Sequence, residues 1–288
     1  MGGFSGGQAI GSGFGLIRRH PAAIAVWAVF YLIVGVGPAL LLQAGMWSHL
    51  PYAPGGDPSA ALAQLSHMAG WFPLIWVLSL FHAAVAYSAV YRAVLDPEDR
   101  RYFYLRLGRR ELSVGLTVLA LLVVFLVGMI VAAIALFVVV RFAPGVVAFL
   151  ATVGAMVGLV WLALRFSMAG PMAYAEQRFV FAESWTLTSG QGWKLFGVAL
   201  CLMLIMIGLE FAILIPTVLA LSLSGALGSM MAAAQAGHGP SSSPATIAAY
   251  AVILPILGAL VVAIFGAPWA SIYQQLSAGR TASPYEEA

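Results

Sequence analysis

A chain of 288 residues that is 62% hydrophobic and only 8% charged is too apolar for a soluble domain of that length. A single cysteine excludes an intramolecular disulfide or a thiolate metal cluster. The net charge of +3 and pI of about 9.2 do not point to nucleic acid, because the cations are split among loops that border apolar runs and no basic soluble domain gathers them.

The chain starts with a glycine-rich stretch through Gly15, read as part of a loose tail and interfacial segment over residues 1–21. Ser12 lacks the flanking pattern of a nucleophile elbow, and no lysine-bearing phosphate loop follows. Arg18 and Arg19 precede the first apolar run as in a signal sequence, but that run outlasts the roughly 7 to 15 residues of a signal core. It is read as an uncleaved span.

Apolar runs cover residues 22–46, 70–91, 112–140, 146–164, 195–222 and 247–269, each near or above the roughly 20 residues that cross a bilayer. Their continuity lacks the alternation of barrel strands, so they are expected to be helices, in which every backbone polar group is satisfied within the segment. The expectation is an all-α polytopic membrane protein with a six-helix domain over 22–270 and a flexible tail over 271–288. Cys201 in the fifth span is expected to be a small apolar packing residue.

The cations orient these spans. Arg18, Arg19, Arg92, Arg100, Arg101, Arg106, Arg109, Arg110, Arg165, Arg178, Lys194 and Arg280 all fall on one side, and only Arg141 falls on the other. Because cationic flanks are retained in the cytoplasm, both termini and the loops after the second and fourth spans are expected there. Anionic lipid headgroups are the expected partners of these residues.

The segments leading into spans one, three and five begin at Phe14, Tyr104 and Trp185, about 90 and 81 residues apart. Each has aromatics, leucine and a polar or basic break. Two readings are open: three parallel-repeat hairpins, or the common need for an aromatic and a cation at the headgroups. Under the first, short interfacial helices are expected at 182–188 and 102–107.

Residues 164–176 (LRFSMAGPMAYAE) and 181–197 (FAESWTLTSGQGWKLFG) resemble the membrane domain fused in some bacteria to glycerophosphodiester phosphodiesterases, and related stand-alone six-span proteins. The matching positions are Arg165, Pro171, Glu183, Ser184, Trp185, Leu187, Thr188 and Gly190. The resemblance implies a bacterial inner-membrane location and no catalytic residues, since the family's hydrolase activity belongs to a separate soluble barrel for which this chain has no room. Read physically, Ser184 or Thr186 caps a short helix, Trp185 sits among headgroups, Gly190 and Gly192 let the chain reverse, and Lys194 marks the next membrane crossing. Glu183 with Arg178 offers a polar pair.

Inside the spans, Glu210 and His82 are the candidates for an intramembrane polar site, with Ser79 one turn from His82. Counting from Leu195 at about 1.5 Å per residue puts Glu210 roughly 22 Å along its span, several ångströms from the depth of His82. Gly154 and Gly158, and the strip Ala259, Ala263 and Ala267, are expected to pack helices together. His49, Asp57 and His67, or Met230, Met231 and His238, are too dispersed to form a metal signature.

No catalytic, cofactor-binding or metal-binding residue is therefore assigned. The leading reading is a non-enzymatic membrane module acting through lipids, a protein partner or a second copy of the chain. The competing reading is a transporter or channel for a small solute or ion, using Glu210 and His82.

Overall fold

The computed structural model describes residues 3–38, 66, 70–235 and 244–281. It is an all-helical polytopic membrane fold with no strand among the described residues. The helices are α1 (Gly6–Arg19), α2 (Pro21–Phe30), α3 (Phe72–Leu95), α4 (Arg109–Phe142), α5 (Gly145–Phe166), α6 (Ala169–Glu176), α7 (Ala182–Leu187), α8 (Gly192–Leu223), α9 (Ala226–Gln235) and α10 (Pro244–Thr281). Helix α2 runs on through a π-helical turn, Tyr31–Val36. Five helices, α3, α4, α5, α8 and α10, contain stretches long and apolar enough to cross a membrane, and Gly6–Arg19 with Pro21–Val36 makes a sixth candidate. The part of the first span beyond Pro38 lies outside the described residues.

Contacts group into two compact units. One contains Met1–Arg19, Ala83–Cys201 and Val262–Ala288; the other contains His20–His82 and Leu202–Val261.

In the first unit, the glycine-rich start is not the loose tail its composition suggests. From Gly6 it is helical, with Ala9, Gly13 and Leu16 buried at the spacing of one helix face. A Cβ at Gly13 would stand 2.9 Å from the Ile264 Cα, so only glycine lets α1 lie this close to the α10 backbone. The Ser5 backbone N–H donates to Gln275 Oε1 at 2.7 Å and ties the start of the chain to the same helix. Arg18 and Arg19 fill the last turn of α1, where cations offset the helix dipole. His20 ends it with non-helical φ/ψ of −130° and 54°, and Pro21 takes the first turn of α2, where its missing N–H costs nothing.

The expected flexible tail is likewise helical up to Thr281, and residues 282–288 lie outside the described ones. Side chains that pack this extension are Ala270, Ile272 and Leu276, all buried. The alanine strip packs as anticipated, with Ala259, Ala263 and Ala267 at most 1% exposed.

The Gly154–Gly158 pair does not. A Cβ at either would meet nothing within 4 Å; it is Gly128 that faces across the α4–α5 hairpin, toward Leu159 and Leu162. The most apolar stretches of α4 and α5 bury no residue at all, leaving broad apolar faces of the kind that lipid or another molecule covers. Cys201 is exposed as well, rather than packed.

In the second unit, the π-helical turn places the Tyr31 ring against two glycines. A Cβ on Gly258 would lie 2.5 Å from the Tyr31 Cζ, and one on Gly35 would lie 3.1 Å from the Tyr31 Cδ1. Helices α8 and α10 continue through Pro216 and Pro255 without ending.

Candidate functional site

The residues of the phosphodiesterase-like motif come together around Arg165, in the last turn of α5. Its guanidinium lies over the Trp161 ring at 5.2 Å and the Trp185 ring at 5.4 Å, while the two indoles meet edge to face at 4.8 Å. Phe166 adds its own contacts, with Trp185 at 5.7 Å and Phe181 at 4.1 Å. Arginine suits this position because its flat, weakly hydrated cation stacks on aromatic faces. Arg165 Nη1 also donates to Ser189 Oγ at 3.4 Å, whereas its Nε is buried without a partner among the described residues.

The backbone of Arg165 is held as firmly as its side chain. Its carbonyl, one of the orphan acceptors at the helix end, receives the Ser184 hydroxyl at 2.9 Å and the Thr188 hydroxyl at 3.2 Å. Ser184 is therefore not the cap of α7. The N-cap of that helix is Phe181, which has no side-chain cap, and Thr186 donates back to the Glu183 carbonyl. A serine fully buried under α5 closes a helix C-terminus across the fold instead. Pro171 is fully buried in α6. Gly190 has φ +77°, where a side chain would be strained, and makes the turn; Gly192 already begins α8. Lys194 is exposed. Glu183 pairs with Arg178 at 3.1 Å, and Arg178 pairs also with Glu176 at 2.6 Å. These neighbours raise the Arg178 pKa, with Glu176 the stronger influence.

Sequence reasoning missed a second cluster, which treated its members only as topological flanks. Arg92, 3% exposed, forms a buried ion pair with Glu111 in the first turn of α4. Its other terminal nitrogen donates to the Tyr104 carbonyl, and its guanidinium lies 5.7 Å from the Tyr174 ring centroid. Arg110 pairs with Asp96, donates to the Tyr174 hydroxyl at 2.8 Å and stacks on that ring at 4.9 Å. The available signal was Arg92 itself, which stands one turn inside α3 rather than beyond its end.

The Tyr104 carbonyl reaches Arg92 because the chain takes an unusual path. Where an interfacial helix was expected over 102–107, there is one 3-10 turn, Arg101–Tyr104, followed by extended chain. Tyr102, Phe103 and Tyr104 have φ of 52°, 55° and 70°, the left-handed region that costs ordinary residues about 1–2 kcal/mol each. The Tyr104 ring is buried, whereas Tyr102 and Phe103 are left exposed.

A cleft of about 700 Å³ opens beside this cluster. Its lining includes Arg92, Arg106, Arg109 and Arg110, but also Asp96, Glu98, Asp99 and Glu111. Four cations against four anions leave no net charge to draw an anionic ligand, and Arg106 is already paired with Asp99 at 2.7 Å.

The intramembrane candidates differ in their surroundings. His82 is buried and Ser79 exposed, and both line an apolar cavity of about 680 Å³ in the second unit. Glu210 is exposed on α8, lines neither cavity and has no ion pair among the described residues. Met231 is exposed, while the Met230 side chain, His49, Asp57, His67 and His238 lie outside the described residues. Compared with protein-family models, curated proteins and solved structures, the chain matches none of them.

Proposed function

We propose that the chain is a non-enzymatic integral membrane module that holds anionic lipid headgroups along its arginine-bearing segments, which we place on the cytoplasmic side of a bacterial inner membrane. The observation that carries this reading is how the cations divide. Arg92, Arg106, Arg110 and Arg178 are engaged by carboxylates, whereas Arg18, Arg19, Arg101, Arg109 and Lys194 are exposed and have no ion pair among the described residues. Exposed aromatics of the same unit accompany them: Phe14, Tyr102, Phe103, Phe179 and Trp193. Free cations beside exposed aromatic rings are the chemistry of the headgroup layer. The likeness to the phosphodiesterase-linked membrane domains belongs to this proposal, as it implies a six-span membrane module.

Native mass spectrometry from nanodiscs of mixed phosphatidylglycerol and phosphatidylcholine tests it. Phosphatidylglycerol is expected to be retained preferentially, and replacing Arg18, Arg19, Arg109 and Lys194 by glutamine to erase that preference, each cation being worth about 1 kcal/mol. Equal retention of both lipids by the unaltered protein would overturn the reading.

A further inference from the structure

We infer that the cavity around His82 is a binding site for a neutral, hydroxyl-bearing amphiphile drawn from the bilayer. This inference stands apart from headgroup binding by the arginines, since it uses none of those residues. The cavity, about 680 Å³, lies within the range of small-molecule sites. Its walls come from the apolar runs of the chain, with Leu74, Leu78 and Leu257 typical of them, and no lining residue among the described ones carries a fixed charge. The polar side chains on it are those of Tyr31, Ser79 and His82.

His82 is the unusual member. It is only 9% exposed, and its Nε2 is buried with no hydrogen-bond partner among the described residues. Its ring is fixed by Phe30, stacked at 5.4 Å, and by Tyr31, edge-on at 4.2 Å. A polar nitrogen kept unpaired in apolar surroundings is costly, and a rigid ring cannot turn away to relieve that cost. The Tyr31 contact in turn depends on the π-helical turn and on Gly35 and Gly258, which leave room for its ring. Such π-helical turns occur frequently at functional sites.

The chemistry of the occupant follows. Imidazole Nε2 is a donor in one tautomer and an acceptor in the other, and a hydroxyl serves either. A phosphate or carboxylate would enter a cavity with no charged partner among the described residues, which its desolvation opposes. The apolar lining then takes the hydrocarbon tail. Long-chain alcohols, acylglycerols and isoprenoid alcohols all fit this description.

The test uses the full chain in nanodiscs and a hexadecanol analogue bearing a diazirine on its tail, with crosslinked peptides mapped by mass spectrometry. Crosslinks are expected within residues 74–82 and 254–261. Unlabelled hexadecanol should compete and hexadecane should not. His82→Leu should weaken capture about fivefold, the change in affinity that one net hydrogen bond carries. Should that variant fail to fold, Leu78→Trp, which narrows the cavity while keeping the histidine, should give the same loss of capture. The inference is overturned if hexadecane competes equally, or if labelling follows the exposed apolar faces of α4 and α5 irrespective of competitor. Absence of crosslinks at the cavity overturns it also.

Discussion

Arg92 and His82 lie ten residues apart on α3, both are buried, and the protein treats them in opposite ways. Arg92 has a carboxylate from α4, a backbone carbonyl from the Arg101–Tyr104 turn and the face of Tyr174, leaving only its Nε without a partner. His82 has aromatic rings against it and, among the described residues, nothing at Nε2. A structural polar group is surrounded by fixed partners, because an unpaired buried charge is prohibitive. A neutral polar group left waiting in a cavity is tolerable, and it is the kind that a ligand can complete. The difference separates groups that hold the fold from groups open to a ligand.

Breaking the Arg92 side of this comparison should produce the largest effect. Glu111→Leu leaves a buried guanidinium without its counter-charge and is expected to cost about 3–5 kcal/mol. The double variant Arg92→Met, Glu111→Leu should regain most of that loss, since replacing both members of a buried pair by apolar groups is often close to neutral. Thermal unfolding in a mild detergent reads both. If the loss in the double variant equals the sum of the losses in Glu111→Leu and Arg92→Met alone, Arg92 is not held through Glu111.

Glycines sharpen the same contrast between crowded and open positions. Gly13→Val drives a side chain into the α10 backbone and should cost about 1–3 kcal/mol, the usual penalty for overpacking. Gly154→Ala meets open space and should be neutral, or slightly stabilising through helix propensity of up to about 1 kcal/mol. A loss of stability or a change of oligomeric state with Gly154→Ala would show that this face of α5 is covered by another chain. Ser184→Ala removes a hydrogen bond to the Arg165 carbonyl, with an expected cost of about 1 kcal/mol. The same variant should loosen the stacking of Arg165 on Trp185, visible as a shift in tryptophan fluorescence.

These residues also mark where the sequence was legible. The lengths and hydropathy of the spans announce the helices, because a membrane demands long apolar runs whatever they pack against. Helix α1 was hidden because glycines that look like a loose tail are, at Gly13, the condition for two backbones to touch. Arg92 was read only as a flank of its span, and its pairing with Glu111 depends on a chain path through three left-handed aromatic residues, a conformation no propensity favours. Ser184 is a good N-cap residue near a helix start, and local preference suggested that role; the closer orphan acceptor turned out to be a carbonyl 19 residues earlier. His82 and Ser79 were found because polar residues are rare in such runs. Whether Glu210 joins them depends on which way each side chain faces, and spacing along separate helices does not specify it.

His82→Leu gives the smallest expected change in stability and the one most specific to the comparison. Losing the imidazole removes stacking with Phe30 and the edge contact with Tyr31, worth about 0.5–1.5 kcal/mol as an aromatic pair. It also removes an unpartnered buried nitrogen, whose burial costs about 1–3 kcal/mol. The second term exceeds the first, so the variant stripped of lipid should be as stable as the unaltered protein or more so by about 1 kcal/mol. With a hydroxyl-bearing amphiphile bound, the unaltered protein gains the missing hydrogen bond and the order should reverse. Thermal unfolding with and without added hexadecanol measures the sign directly. A His82→Leu variant that is destabilised under both conditions would place this histidine with Arg92, among the groups that hold the fold.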